Sequence, residues 1–174
     1  MLTLTGEKLY LRALEPEDLE FIYEIENNES IWEISATQTP YSRFLIKQYL
    51  ENAHQDIYEA KQLRLVMVNM KKESIGLIDL FEFDPKNKRV GVGLLIAKSE
   101  HKHKGYGKEA LQLVCNYAFK HLHVHQVYAN IGEDNLASIN LFESLDFKQI
   151  GVKRDWTFIN GEFKNEVFYQ KIAE

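Results

Sequence analysis

Residues Ile96–Leu122 read IAKSEHKHKGYGKEALQLVCNYAFKHL. The stretch passes from the end of an apolar strand through a basic, glycine-containing loop into an amphipathic helix. Loop amides and the first helical turn then point at one spot, and that spot suits an anion. Lys102, Lys104 and Lys108 bring positive charge, Gly105 and Gly107 let the backbone approach a ligand, and the helix N-terminus adds a partial positive charge. Phosphate is the natural guest. Taken alone, Gly105-x-Gly107 reads equally well as a helix entry with surface lysines. Neither common phosphate motif is present: there is no G-x-x-x-x-G-K-[ST], and G-x-G-x-x-G fails because Ala110 follows Gly107 by three.

Working outward, Ala110, Leu113, Val114, Tyr117 and Ala118 recur at helical spacing, which predicts a helix over Gly105–Leu122 with one buried stripe. Before it, Leu63–Asn69, Ser74–Asp84 and Arg89–Ile96 read as three strands joined by short polar turns, an antiparallel meander. After it, Gln126–Gly132 is a strand that must run parallel to Arg89–Ile96, because a strand, helix, strand unit crosses over. Asn135–Ser144 is a short helix, and two closing strands meet at Asn160-Gly161, a type I′ hairpin signal. Lys8–Ala13 alternates as a strand, and Glu15-Pro16-Glu17-Asp18 opens a helix that buries Leu19, Ile22, Tyr23 and Ile25. An irregular segment is expected over Ser30–Pro40, and a second helix over Ser42–Tyr58.

The 174 residues suit a single domain spanning 1–174, and 45% hydrophobic with 27% charged residues is globular composition. A net charge of −5 and a pI near 5.7 argue against non-specific nucleic-acid binding. Cys115, the one cysteine, leaves no intramolecular disulfide and reads as a small core residue. MLTLTGEKLY lacks the basic start and apolar run of a signal peptide, and no run approaches the roughly 18 apolar residues of a membrane helix. A cytoplasmic protein without membrane partners is expected. His121-x-His123-x-His125, with His101 and His103, has the look of a metal array. It falls at a helix end with no completing ligand pattern, so no metal is expected.

The order strand, Lys102-x-x-Gly105-x-Gly107, helix, strand, Asn135-x-x-Ser138, then a helix running into Leu145-Asp146-Phe147 resembles the core of the GNAT superfamily of acyl-CoA-dependent N-acetyltransferases. Within it, L-x-L-R-x-L-E-P-E-D-L from Leu9, D-N-x-x-S from Asp134 and I-N-G-E-F-x-N-E from Ile159 are similar to the bacterial branch holding the spermidine and ribosomal-protein alanine N-acetyltransferases. The resemblance covers roughly Lys8–Ile172. It implies an α/β fold: a mixed, mostly antiparallel central sheet of about seven strands, with a splayed parallel pair and about four flanking helices.

It also implies acetyl-CoA as co-substrate and an amine as acceptor. The pyrophosphate falls to the loop of Lys102, His103, Lys104, Gly105, Tyr106, Gly107 and Lys108, and pantetheine to the backbone of Leu94, Leu95 and Ile96. Asn135, Ser138 and Asn140 lie near the coenzyme, although Ser138 reads equally as an ordinary helix residue. Lys102 stands where Gln or Arg is usual, which keeps charge but loses the planar fork of Arg.

Acetyl transfer needs an uncharged amine, a stabilised oxyanion and a place for the amine proton. Many relatives carry a Glu at the position of Gly91 and a Tyr general acid at that of Phe142; both are absent. Gly91 and Gly93 read as a bulge that aids the splay. Asp79 and Glu82 then become the candidates for acceptor binding and indirect base work, with a solvated strand acid as the plainer reading of each. Ser138 is the candidate at the leaving sulfur. Glu33 falls on the acceptor wall, and Trp32 and Trp156 read as flanking the acceptor or, for at least one of them, as core packing. Glu24, Glu26, Glu29 and Glu33 read either as a cation-friendly wall or as a solvated face. The expected activity is acetylation of a primary amine, a small one such as a polyamine, by direct attack. Alternatives are a protein N-terminal acetyltransferase and a CoA-binding protein with reduced or lost catalysis. A homodimer or higher homo-oligomer is expected, since the branch is commonly dimeric.

Overall fold

The computed structural model describes residues 2–35 and 37–173; Met1, Ala36 and Glu174, which fall within stretches read above, lie outside the described residues. The described residues form one seven-stranded sheet with the order β1-β2-β3-β4-β5-β7-β6. Its strands are β1 (Leu9–Ala13), β2 (Leu63–Asn69), β3 (Ser74–Asp84), β4 (Arg89–Ile96), β5 (Gln126–Gly132), β6 (Lys148–Ile159) and β7 (Glu162–Ile172). All neighbours are antiparallel except β4 and β5. The GNAT fold expected above is therefore present.

Six α-helices occur among the described residues: α1 (Leu19–Glu26), α2 (Glu29–Ser35), α3 (Arg43–Glu51), α4 (Ile57–Ala60), α5 (Tyr106–His121) and α6 (Leu136–Glu143). Two helical readings need correction. The segment over Ser30–Pro40 is not irregular throughout, because α2 fills much of it. The single helix over Ser42–Tyr58 is broken in two. Asn52 caps α3 and Asp56 opens α4 by accepting the Tyr58 and Glu59 amides. Such short polar residues favour helix ends over helix interiors.

Alternation decides which face of the sheet each side chain joins. Val66, Val68 and Leu77 face one way and bury Ile22, Ile25 and Ile46 of α1 and α3. Leu65, Met67, Ile78, Leu80, Val90, Val92 and Val127 face the other way and receive Ala110, Leu111, Val114, Cys115 and Ala118 of α5. Each fully buried Leu or Ile contributes about 1.5–3 kcal/mol. Turns follow local chemistry. Buried Asn69 accepts from the Lys71 and Glu73 amides to shape the β2–β3 turn. Asn160 (φ 52°) and Gly161 (φ 86°) make the left-handed hairpin corner.

The feature that positions the site is a gap. β4 and β5 pair only from Arg89–Gln126 to Gly91–Tyr128, so the β5-facing edge of β4 is left without a strand partner from Val92 onward. The strand irregularity is not at the two glycines. It lies across from them in β3, where the register shifts between Phe81 and Asp84 and Glu82 takes a left-handed φ of 49°. Gly91 serves another purpose: a Cβ there would lie 2.3 Å from the Phe81 ring.

Candidate active site

The gap opens into a cleft of about 950 Å³ on the α1/α3 side of the sheet. Leu94 and Leu95 of β4 line it, together with Asn130, Ile131 and Gly132 of β5. Ile96, paired with Gly76, lies outside the lining. Unpaired strand amides and carbonyls in a buried edge require partners. An extended chain bearing amides is what such an edge accepts.

Just past the open, C-terminal end of β4 stands the basic loop. After a short 3-10 turn (Ser99–His101), Lys102 is extended, His103 is left-handed (φ 59°) and Gly105 (φ 84°) forms the N-cap of α5. Lys102, His103, Lys104, Gly105 and Lys108 are exposed, while Tyr106 and Gly107 are half-buried. Gly107 packs closely, since a Cβ there would lie 3.3 Å from Leu94 Cδ1 and 3.4 Å from Leu141 Cδ2 and the leucine side chain would have to give by a few tenths of an ångström. The amides of the first turn lack intrahelical acceptors and sit at the positive end of a sixteen-residue helix. Lys8 reaches in from β1's approach, with Nζ 3.1 Å from the Lys104 carbonyl, so a fourth lysine joins the loop. Glu109 holds this corner together by accepting from the amides of Glu7 (3.0 Å), Lys8 (2.9 Å) and Leu9 (2.9 Å). Neither residue was singled out in the sequence, because each contact joins residues about a hundred positions apart.

Asn135 caps α6 by accepting from the Ser138 amide at 3.2 Å, and both residues line the cleft. Asn140 is exposed and outside it. Phe142 is buried at the cleft floor, edge-on to Phe147 at 4.9 Å.

The two strand acids are separated. Asp79 faces the cleft, where its two oxygens accept from Nε and Nη2 of Arg64, each at 2.8 Å, and Arg64 Nη1 donates to Glu26 at 2.9 Å. Burial works against the Arg64 charge, but the fork to Asp79 and the fields of Asp79, Tyr49 and Glu26 raise its pKa above the ordinary value. Glu82, thrown to the other side of Phe81 by the β3 bulge, lies in a separate hollow and accepts from the Tyr128 hydroxyl at 2.6 Å. Burial, then the bond to Glu82, raises the Tyr128 pKa.

Glu33 lines the cleft and is bound by Lys164 Nζ at 2.6 Å, while the same ammonium donates to Asp134 at 2.7 Å. Trp32 turns to α1, donating from Nε1 to the Glu26 carbonyl at 2.8 Å, and is not among the described lining residues. Trp156 is exposed on β6 with Lys153 Nζ 4.8 Å from its ring centre. Arg64 and Lys164 were missed by the sequence reading. For Arg64 a signal existed, since the β2–β3 meander pairs it with Asp79. Among the described residues, no three His, Cys, Asp or Glu converge in a group fit to hold a metal.

A split parallel pair leading from a basic helix N-terminus to a carboxylate-lined cleft defines an acyl-CoA-dependent transferase. The family comparison agrees: residues 8–148 match the model of the acetyltransferase (GNAT) domain. The chain is 30% identical over 160 residues to the spermidine N(1)-acetyltransferase of Vibrio cholerae, covering 92% of this chain and 90% of that one. Among solved structures, the Vibrio cholerae spermidine N-acetyltransferase in complex with CoA and spermine superposes with a TM-score of 0.85 at 27% identity, over 96% of both chains. A dodecameric structure of that enzyme, in an intermediate state, gives a TM-score of 0.80 at 28% identity, over 96% and 95%. The chain belongs to the GNAT acetyltransferase family. It is an N-acetyltransferase enzyme whose acetyl donor is acetyl-CoA.

Proposed function

We propose that this enzyme acetylates a small polyamine-type amine by direct attack on the thioester. The observation that carries the reading is the cleft itself, which opens at the β4–β5 gap and is walled by Glu26, Glu33, Asp79, Asp134 and Glu166. Carboxylates interleaved with apolar side chains such as Ile22, Leu45 and Leu94 suit a flexible chain of methylenes and ammonium groups, and Arg64, Lys153 and Lys164 are the cations that pair them in the free protein. Kinship with a spermidine acetyltransferase crystallised with CoA and spermine supports it.

In this reading the loop of Lys102–Lys108 with Lys8 holds the pyrophosphate, the open edge of Val92–Ile96 pairs with the pantetheine amides, and a strand amide receives the negative charge developing on the acetyl oxygen. Asp79, held by Arg64, and Glu33 orient the acceptor. Ser138 and Asn135 flank the sulfur. Thiolate departure needs little acid help because a thiol is far more acidic than an alcohol. No carboxylate stands at Gly91, and Glu82 lies outside the cleft, so the acceptor reaches the reactive state by losing its proton to water. We further propose that the chain assembles as a homo-oligomer through the β6–β7 hairpin, where Trp156, Phe158 and Phe163 are each more than 60% exposed. A dodecameric relative supports this.

The test is release of free CoA thiol from acetyl-CoA against spermidine, spermine, diamines and short peptides. Turnover on a polyamine, lowered at least tenfold by Asp79→Asn, is the expected result. Its rate should rise with pH toward the amine's own pKa near 10. Peptide turnover without polyamine turnover would replace this reading with a protein N-terminal acetyltransferase.

A further inference from the structure

Lys164 belongs to β7 just beyond the end of its pairing with β5, which stops at Gly132–Glu166. From there its ammonium spans to Glu33 on α2 and to Asp134 in the turn before α6, at 2.6 and 2.7 Å. All three side chains line the acceptor cleft. An alkylammonium held between two carboxylates is chemically the same object as one end of a polyamine. The cleft thus already contains a cation of the class that the proposed function has it bind, supplied by the chain itself.

On the opposite side of the β4–β5 gap, Arg64 plays the matching part between Glu26 and Asp79. The two bridges differ in how readily they yield. Arg64 is locked by a planar two-point fork and is largely buried, with a side chain 19% exposed. Lys164 is a flexible point charge with a side chain 31% exposed, and its carboxylate partners Glu33 and Asp134 are 42% and 60% exposed.

We propose that Lys164 is a specificity-determining residue: it fills the ammonium subsite formed by Glu33 and Asp134 and so limits how many charged nitrogens an acceptor can place in the cleft. This rests on the polyamine reading above. One positive charge against two carboxylates leaves a single unbalanced negative charge at this subsite. Removing the ammonium leaves two, and an acceptor with one more charged nitrogen gains where a shorter one does not. The residue is not asked to touch the reacting atoms, so its loss should appear in acceptor affinity and not in the chemical step.

The test measures binding of spermidine and spermine by calorimetry to the CoA-loaded enzyme, as wild type, Lys164→Met and Lys164→Arg. The methionine keeps the length and packing of the stem without the charge. Spermine affinity should rise roughly fivefold more than spermidine affinity in Lys164→Met, as expected for one exposed, partly screened charge, and the gain should shrink in higher salt. Lys164→Arg, which keeps the bridge, should match wild type. Equal changes for both amines, or weaker binding of both, would overturn the proposal and make Lys164 a strut that supports α2. Because binding is read without turnover, this failure is separate from failure of the function itself, which would appear as polyamine binding by wild type with no thiol release.

Discussion

At Gly91 an added Cβ would lie 2.3 Å from the Phe81 ring, whereas at Gly93 the nearest ring atom is 3.8 Å away. Gly91→Ala should therefore cost about 1–3 kcal/mol in urea unfolding, while Gly93→Ala should change stability little. Gly91→Glu should be tolerated only with Phe81→Ala, and a double-mutant cycle should give a coupling above about 1 kcal/mol; additive effects would show that the ring yields freely. A second residue-scale effect concerns Asp18, whose carboxylate is buried. Burial alone would raise its pKa, yet Arg12 (2.7 and 2.8 Å) and the Glu15 amide (2.8 Å) hold it below the ordinary carboxylate value. A depressed pKa stabilises the fold above the unfolded value near 3.8 and loses that contribution as pH falls through the folded value. Asp18→Asn should lower stability at pH 7 and flatten the acid limb below pH 4, read by denaturant melts across pH. Arg12 and Asp18 lie close together in a motif visible in the sequence. The Gly91–Phe81 contact was not legible, because its register depends on the strand pairing beside the bulge at Glu82.

Among the elements, the link between β1's approach and α5 carries the most consequence. One carboxylate, Glu109, takes three successive amides from Glu7 to Leu9, and Lys8 in turn reaches the Lys104 carbonyl. Glu109→Ala should cost about 1–2 kcal/mol of stability, chiefly by leaving the Leu9 amide unmet while water takes over the exposed Glu7 and Lys8 amides, and should also weaken acetyl-CoA binding several-fold in a titration. Lost stability with unchanged affinity would mean that the loop holds its shape without the chain's N-terminal strand. All seven strands were legible, β1 to β5 from their own patterning and β6 and β7 from the corner between them, because period-two patterning is local and the hairpin turns carry Asn, Asp and Gly. The short α2 and the break between α3 and α4 were not, since α2 and α4 run to only seven and four residues, about one to two turns, too few for a period to register. The basic loop was likewise readable as a local motif. The bridges Lys164–Glu33 and Arg64–Glu26 were not, as they join residues 131 and 38 positions apart.

Taken whole, the sheet is covered by α1 and α3 on one face and by α5 on the other, while the β6–β7 hairpin extends with Trp156, Phe158 and Phe163 exposed. Apolar surface of that kind is usually a contact surface. Light scattering should find a multimer for wild type and a smaller species for Trp156→Glu with Phe158→Glu, whereas identical masses would place the interface elsewhere. Within one chain the sheet is two half-sheets, β1–β4 and β5–β7–β6, joined strand to strand by only the three residue pairs from Arg89–Gln126 to Gly91–Tyr128. The first strand, β1, and the last, β7, belong to different halves. Tension applied between those two strands therefore bears on that short seam. A coenzyme spanning the gap would act as a mechanical fastener, making a loaded chain harder to pull apart than an empty one.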